Sequence, residues 1–204
     1  MTYLLSHPAQ ILWLLLQHAT IVFGGILLAT AIALPLGILI DRVRSLEIPV
    51  LLVTGLLYIT PSLALFAFLI PLTGLGTDTA VIGQAVYSLL VITRNTAVGL
   101  AGVPAAQDET ATGLGLSEWE RLRLVELPAA LPLIVGGIRV AAVMGVGIAT
   151  IAAYIGAGGL GKLVFRGIAT LDSQMIIAGV LPIALLALAL DAGLRRLERI
   201  SAGR

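Results

Sequence analysis

Residues 156–162, Gly-Ala-Gly-Gly-Leu-Gly-Lys, carry a spacing associated with phosphate chemistry. They satisfy G-x-G-x-x-G and match the first seven positions of a P-loop. Such a turn cradles phosphate when it joins a β-strand to a helix N-terminus, and a Ser or Thr after the lysine then holds Mg²⁺. Here an apolar run precedes the glycines and Leu163 occupies the hydroxyl position, so nucleotide binding is rejected. A flexible or re-entrant outer loop is expected instead. With no cysteine in the chain, disulfide and thiolate chemistry are excluded. No catalytic, cofactor-binding or metal-ligating residue is assigned.

The other concentration of chemistry lies at residues 109–128, ETATGLGLSEWERLRLVELP. Only 11% of the chain is charged, yet this window holds Glu109, Glu118, Glu120, Arg121, Arg123 and Glu126. The rest of the chain is unlike a soluble domain, with 59% hydrophobic residues and a mean hydropathy of +1.08. That much apolar surface implies lipid as part of the solvent. Runs of about 20 apolar residues cross a bilayer as helices. Five are expected, at residues 20–40, 48–72, 79–100, 132–155 and 175–194. Residues 1–19 read as an N-terminal interfacial segment, and 20–204 as the transmembrane domain. The fold class is therefore an all-α membrane bundle of five spans.

Orientation follows from the Lys/Arg bias of the loops. One side collects Arg42, Arg44, Arg94, Arg121, Arg123, Arg139, Arg195, Arg196, Arg199 and Arg204, the other only Lys162 and Arg166. The N-terminus is expected outside, and the C-terminus and the loop 101–131 in the cytoplasm. Net charge is +1, which gives no reason to expect nucleic acid.

Within that loop, Pro104 suits the first turn of a short helix over 105–112. Gly113 and Gly115 permit the left-handed backbone that ends it. Ser117 and Glu120 form a capping box that starts a second helix, with Trp119, Leu122 and Val125 on one face. Pro128 and Pro132 are expected to stop that helix and launch the fourth span. A rigid, partly apolar cytoplasmic elbow is a docking element for a soluble partner.

The window resembles the EAA loop of permease subunits in binding-protein-dependent ATP-binding-cassette (ABC) importers. The family pattern, Glu-Ala-Ala, three residues, Gly, nine residues, Ile-x-Leu-Pro, is met by Glu109-Thr110-Ala111, Gly115 and Val125-Glu126-Leu127-Pro128. Thr110 and Val125 are the departures. The segments TPSLALFAFLIPLTGLGT, ITRNTAVGL, VELPAALPLIVGGIRVA and IATIAAYIGAGGLGKLVFRGI extend the likeness over most of 34–190, toward permeases for glycine betaine, carnitine and choline. The resemblance implies an inner-membrane permease of an ATP-driven osmoprotectant importer, not itself an enzyme, working by alternating access. ATP and Mg²⁺ would be bound by a cytoplasmic ATPase pair. A second permease copy or paralogue, and a receptor expected as a separate chain outside, would complete the assembly. The ATPase-coupling residues implied are Glu109, Ala111, Gly115, Leu116, Trp119, Leu127 and Pro128. Substrate-binding residues are not assigned.

Weaker signals stay open. The fourth span carries Gly137, Ala141, Gly145, Ala149 and Ala153 at four-residue spacing, which suits either internal packing or a pore or dimer face. Pro35, Pro61 and Pro182 can kink their spans. Arg94, Arg139 and Asp191 encroach on the spans near one end, and Asp191 and Arg195 are spaced to pair along a helix. A permease for another small polar solute, an ion-coupled secondary transporter and a non-transporting scaffold subunit are the alternatives. The secondary transporter would want acidic residues at mid-membrane and inverted halves, and neither is evident.

Overall fold

The computed structural model describes residues 2–203, and every regular element among them is helical. In chain order these are α1 (Thr2–Ser6), α2 (Pro8–Arg42), α3 (Glu47–Ile59), α4 (Ser62–Thr73) and α5 (Thr77–Ala101). They are followed by α6 (Ala105–Gly113), α7 (Glu118–Arg121), α8 (Leu127–Ile151), α9 (Gly161–Ala169) and α10 (Ser173–Ser201). Among the described residues, four helical segments are long and apolar enough to cross a membrane: Pro8–Arg42, Thr77–Ala101, Glu118–Ile155 and Ser173–Ser201. The pair α3–α4 qualifies as a fifth span if counted together.

The first helix differs from its expected bounds. Residues 8–19 do not form a separate element: α2 runs unbroken for 35 residues. At 1.5 Å per residue it is about 50 Å long, well beyond the roughly 30 Å of a hydrocarbon core.

Helices α2, α5 and α8 form the centre, and small residues let them approach. Along α2, Gly25, Ala29, Ala33 and Gly37 recur every fourth position and all are buried. A Cβ on Gly25 would lie 2.2 Å from the Gln84 side chain of α5, and one on Gly37 2.4 Å from Thr96. From the other side, a Cβ on Gly145 of α8 would lie 2.0 Å from Gln84 Nε2. Gln84 is thus fully buried between two glycines of two different helices. The small-residue stripe of the fourth span is mostly consumed here. Gly137, Ala141, Gly145 and Ala149 are buried, and Ala141 packs with Ala29, Ala33, Ala85 and Ile92.

The second span breaks at Pro61, where its two halves meet at 101°. Proline lacks an N–H and pushes the preceding residue to extended backbone, so Thr60 takes φ −62°, ψ 131°. The carbonyl of Thr60 is met by the Tyr87 hydroxyl of α5, which donates to it. Pro35 and Pro182, by contrast, remain inside continuous helices.

Residues 156–162 are not a free loop. Gly156, Gly158 and Gly159 adopt positive φ, and Ala157 to Gly161 are buried. Leu160 is fully buried in a cluster with Ile11, Leu14, Leu163, Met175 and Ala178. Beside the loop, His18 is fully buried and its Nε2–H donates to the Val146 carbonyl at 3.0 Å.

Candidate functional site

The charged window folds into two short helices joined by a bend, and local chemistry shapes that bend first. Helix α6 begins after Pro104 and ends in a Schellman motif. The N–H of Gly115 donates to the Thr112 carbonyl at 2.9 Å, and that of Leu116 to the Ala111 carbonyl at 3.1 Å. Gly115 sits at φ +77°, the conformation this motif requires, whereas Gly113 is still helical. Two residues later the capping box forms. Ser117 Oγ accepts from the Glu120 N–H, and the Glu120 carboxylate accepts from the Ser117 N–H at 2.8 Å. Hydrogen bonds from the Ser117 hydroxyl and backbone hold the Glu120 carboxyl below its ordinary range.

Beyond the capping box the chain departs from expectation. Pro128 and Pro132 neither stop the second helix nor start a new one, because helical structure runs continuously over Glu118–Ile155. A π-helical turn at Leu122–Glu126 makes this possible: the Leu127 N–H donates to Leu122, five residues back. Widening the turn by one residue relieves the clash that the Pro128 ring would make in a regular helix, and Pro128 falls in the first turn of α8. Pro132 stays inside that helix.

The expected apolar ridge does not stay together. Leu122 is buried with Leu100, Ala130 and Ile134. Val125 is half-buried and lines a shallow hollow of about 440 Å³ with Ala106, Thr110, Ala111, Leu114 and Leu116. Trp119 is 67% exposed. The motif residues therefore separate by role. Ala111 is buried, Leu116 and Leu127 are half-buried, and Glu109, Gly115, Trp119 and Pro128 are exposed. Together with Leu114 and Leu124, Trp119 gives the elbow an apolar outer surface.

Residues given no individual role from the sequence hold the elbow. Arg121 donates from a terminal guanidinium nitrogen to Thr112 Oγ1 at 3.0 Å, and its Nε lies 3.3 Å from Asp108. Both partners are on α6, so Arg121 clamps the two arms of the bend. Its Nε also lies 3.9 Å from Glu126, which is itself 2.6 Å from Arg42 at the end of α2. Nothing in the sequence pairs residues 42 and 126. Farther along, Asp191 pairs with Arg195 at 2.5 Å as its spacing predicts, and with Arg139 of α8 at 3.6 Å. Arg139 also meets Glu198 at 3.3 Å. Arg94 is exposed and borders a hollow with Asp41, Arg44 and Glu47.

Long apolar helices around a polar-studded core, with a charged elbow between two spans, define a polytopic membrane subunit. Residues 21–201 match the family described as "Binding-protein-dependent transport system inner membrane component", and the chain belongs to it. It is 46% identical to the osmoprotectant import permease protein OsmW of Salmonella typhimurium, over 96% of this chain and 94% of that protein. It is 40% identical to the carnitine transport permease protein OpuCB of Listeria monocytogenes, covering 89% and 84%. Identity to the glycine betaine/carnitine/choline transport system permease protein OpuCB of Bacillus subtilis is 37%, covering 98% and 92%. The fold is similar to a chain of the inward-facing MetNI methionine ABC transporter, with TM-score 0.81 at 21% identity over 93% and 96% of the two chains. An amino acid ABC transporter solved with histidines gives TM-score 0.74 at 16% identity, covering 97% of each chain. These two likenesses concern the fold.

Proposed function

We propose that this chain is the membrane permease of an ATP-driven importer for quaternary-amine osmoprotectants such as glycine betaine, choline or carnitine. The observation that carries the substrate class is the near full-length identity to permeases bearing those names. Two cytoplasmic ATPases engage the elbow. A second permease completes the pore, and an outer binding protein delivers substrate. The C-terminus lies in the cytoplasm and the N-terminus outside, in keeping with the arginine distribution.

The elbow supports this reading through its combination of stiffness and apolar exposure. Its bend is set by a Schellman motif, a capping box and the Arg121 clamp, so a push on α6 displaces the arm as a unit. Trp119 and Leu114 offer desolvatable area for a protein surface, and aromatic anchors of this kind dominate interface energetics. Glu109, Gly115 and Pro128 frame that surface, while Ala111, Leu116 and Leu127 fix its inner side. ATP hydrolysis belongs to the partner. The spans answer by rocking between outward-open and inward-open states.

The test is uptake into proteoliposomes carrying the permease with its ATPase and receptor. Glycine betaine, choline or carnitine should accumulate only with internal ATP, and methionine should not. Accumulation driven by a proton or sodium gradient without ATP would overturn the reading.

A further inference from the structure

Glu126 is the buried acid of the elbow, with only 6% of its surface exposed. A carboxylate at such a site is costly unless an opposite charge meets it, and losing that partner leaves the charge stranded. Its partners come from two directions. Arg42, in the last turn of α2, donates to Oε2 at 2.6 Å. Arg121 approaches Oε1 at 3.9 Å while holding Asp108 and Thr112 of α6. One continuous polar path therefore runs from α6 through Arg121 and Glu126 to Arg42. At its far end α2 packs along α5 and α8 over the centre of the bundle. The π turn contributes to this meeting, because Glu126 is its last residue and the extra backbone unit changes the direction of its side chain. A hollow of about 180 Å³ lies beside the pair, bordered by Asp41, Leu100, Val103 and Asp108.

We propose that Glu126 is a positioning residue for energy coupling, and that its pair with Arg42 transmits displacement of the elbow to the first long helix. Without it the ATPases still bind the elbow and still turn over, but their stroke is absorbed before reaching α2. The inference rests on the importer reading above.

The experiment compares wild-type, Glu126→Gln, Arg42→Gln and Arg42→Lys permeases, each assembled with ATPase and receptor in proteoliposomes. Three quantities are read: ATPase capture, substrate moved per ATP hydrolysed, and Tm of the complex. Glu126→Gln and Arg42→Gln should each capture the ATPase normally and lower the substrate-to-ATP ratio about tenfold, within the range of energetic coupling between protein sites. Arg42→Lys, which keeps the charge, should recover most of the ratio. A lowered Tm with an unchanged ratio would make the pair merely structural and overturn the proposal. Loss of ATPase capture in proportion to transport would do so as well, by placing the defect in docking. Failure of the wild-type permease to capture any ATPase is a distinct result that overturns the importer reading, and this inference with it.

Discussion

The side-chain oxygen of Gln17 accepts the backbone N–H of Gly159 at 3.1 Å, joining α2 to a glycine-rich segment 142 residues later. The bond ties these glycines into the packing of the helices. The Gly159 N–H is occupied by it, and the segment is packed against α2 and α8.

The packing makes a prediction about space. A Cβ on Gly161 would lie 2.1 Å from the Thr150 carbonyl oxygen, a backbone atom that cannot swing aside. Gly161→Ala should therefore destabilise the subunit by about 3 kcal/mol, the upper end for overpacking. Gln17→Ala removes one hydrogen bond and should cost about 1 kcal/mol. Thermal unfolding in detergent separates them, and a wild-type Tm for Gly161→Ala would contradict the packed loop.

The capping box makes a prediction about pH. Glu120 is held below its ordinary range in the folded elbow, so its contribution is present above the unfolded carboxylate value and is lost as pH falls through the depressed folded value. In a Trp13→Phe background Trp119 is the sole tryptophan, and its fluorescence should report fraying of the elbow at that acid step. Glu120→Gln should abolish the step, and Ser117→Ala should move it to higher pH. An acid step identical in all three proteins would show that the box does not hold the elbow.

Gly115 offers a test free of collision with the surrounding structure, since no atom beyond its chain neighbours lies within 4 Å of where its Cβ would be. Its cost on substitution comes from φ +77°, where an L-residue is strained by roughly 1–2 kcal/mol and a β-branched one by more. Gly115→Val should leave membrane insertion intact while lowering ATPase capture and ATP-dependent betaine uptake together. Normal capture and uptake would sink the proposed role of the elbow.

Topology is tested by single cysteines at exposed Thr77, Ser117 and Ser173 in this cysteine-free chain. An impermeant thiol reagent should label the first and third in intact cells, and Ser117→Cys only after permeabilisation. Labelling of Ser117→Cys from outside would reverse the orientation and remove the elbow from the ATPases.

The features legible in the sequence share one property: their partners are close along the chain. The capping box spans three residues, the Schellman bonds span three and five, and the Asp191–Arg195 pair spans four. In each case the backbone conformation alone brings the groups together, so residue type and spacing suffice. The break at Pro61 is local in the same sense. The apolar runs needed only their length to indicate spans, although their ends could not be placed that way. Nothing in the composition of residues 8–19 distinguishes a helix that stops from one that runs into its neighbour.

The meetings decided by the tertiary structure lie far apart in sequence: Arg42 with Glu126, Gln17 with Gly159, His18 with Val146. A helix turns about 100° per residue, so which side chain faces a neighbour depends on the rotational phase of each packed helix. That phase is set here by small residues, with Gly25, Gly37 and Gly145 admitting Gln84 and Thr96 at distances no larger residue allows. The π turn at Leu122–Glu126 then joins the elbow's arm to α8, and in that packing Leu122 is buried and Trp119 lies outside. The residues showed that a charged elbow exists, through backbone chemistry that acts within one turn. Where it is anchored depends on close packing between helices, which no local spacing records.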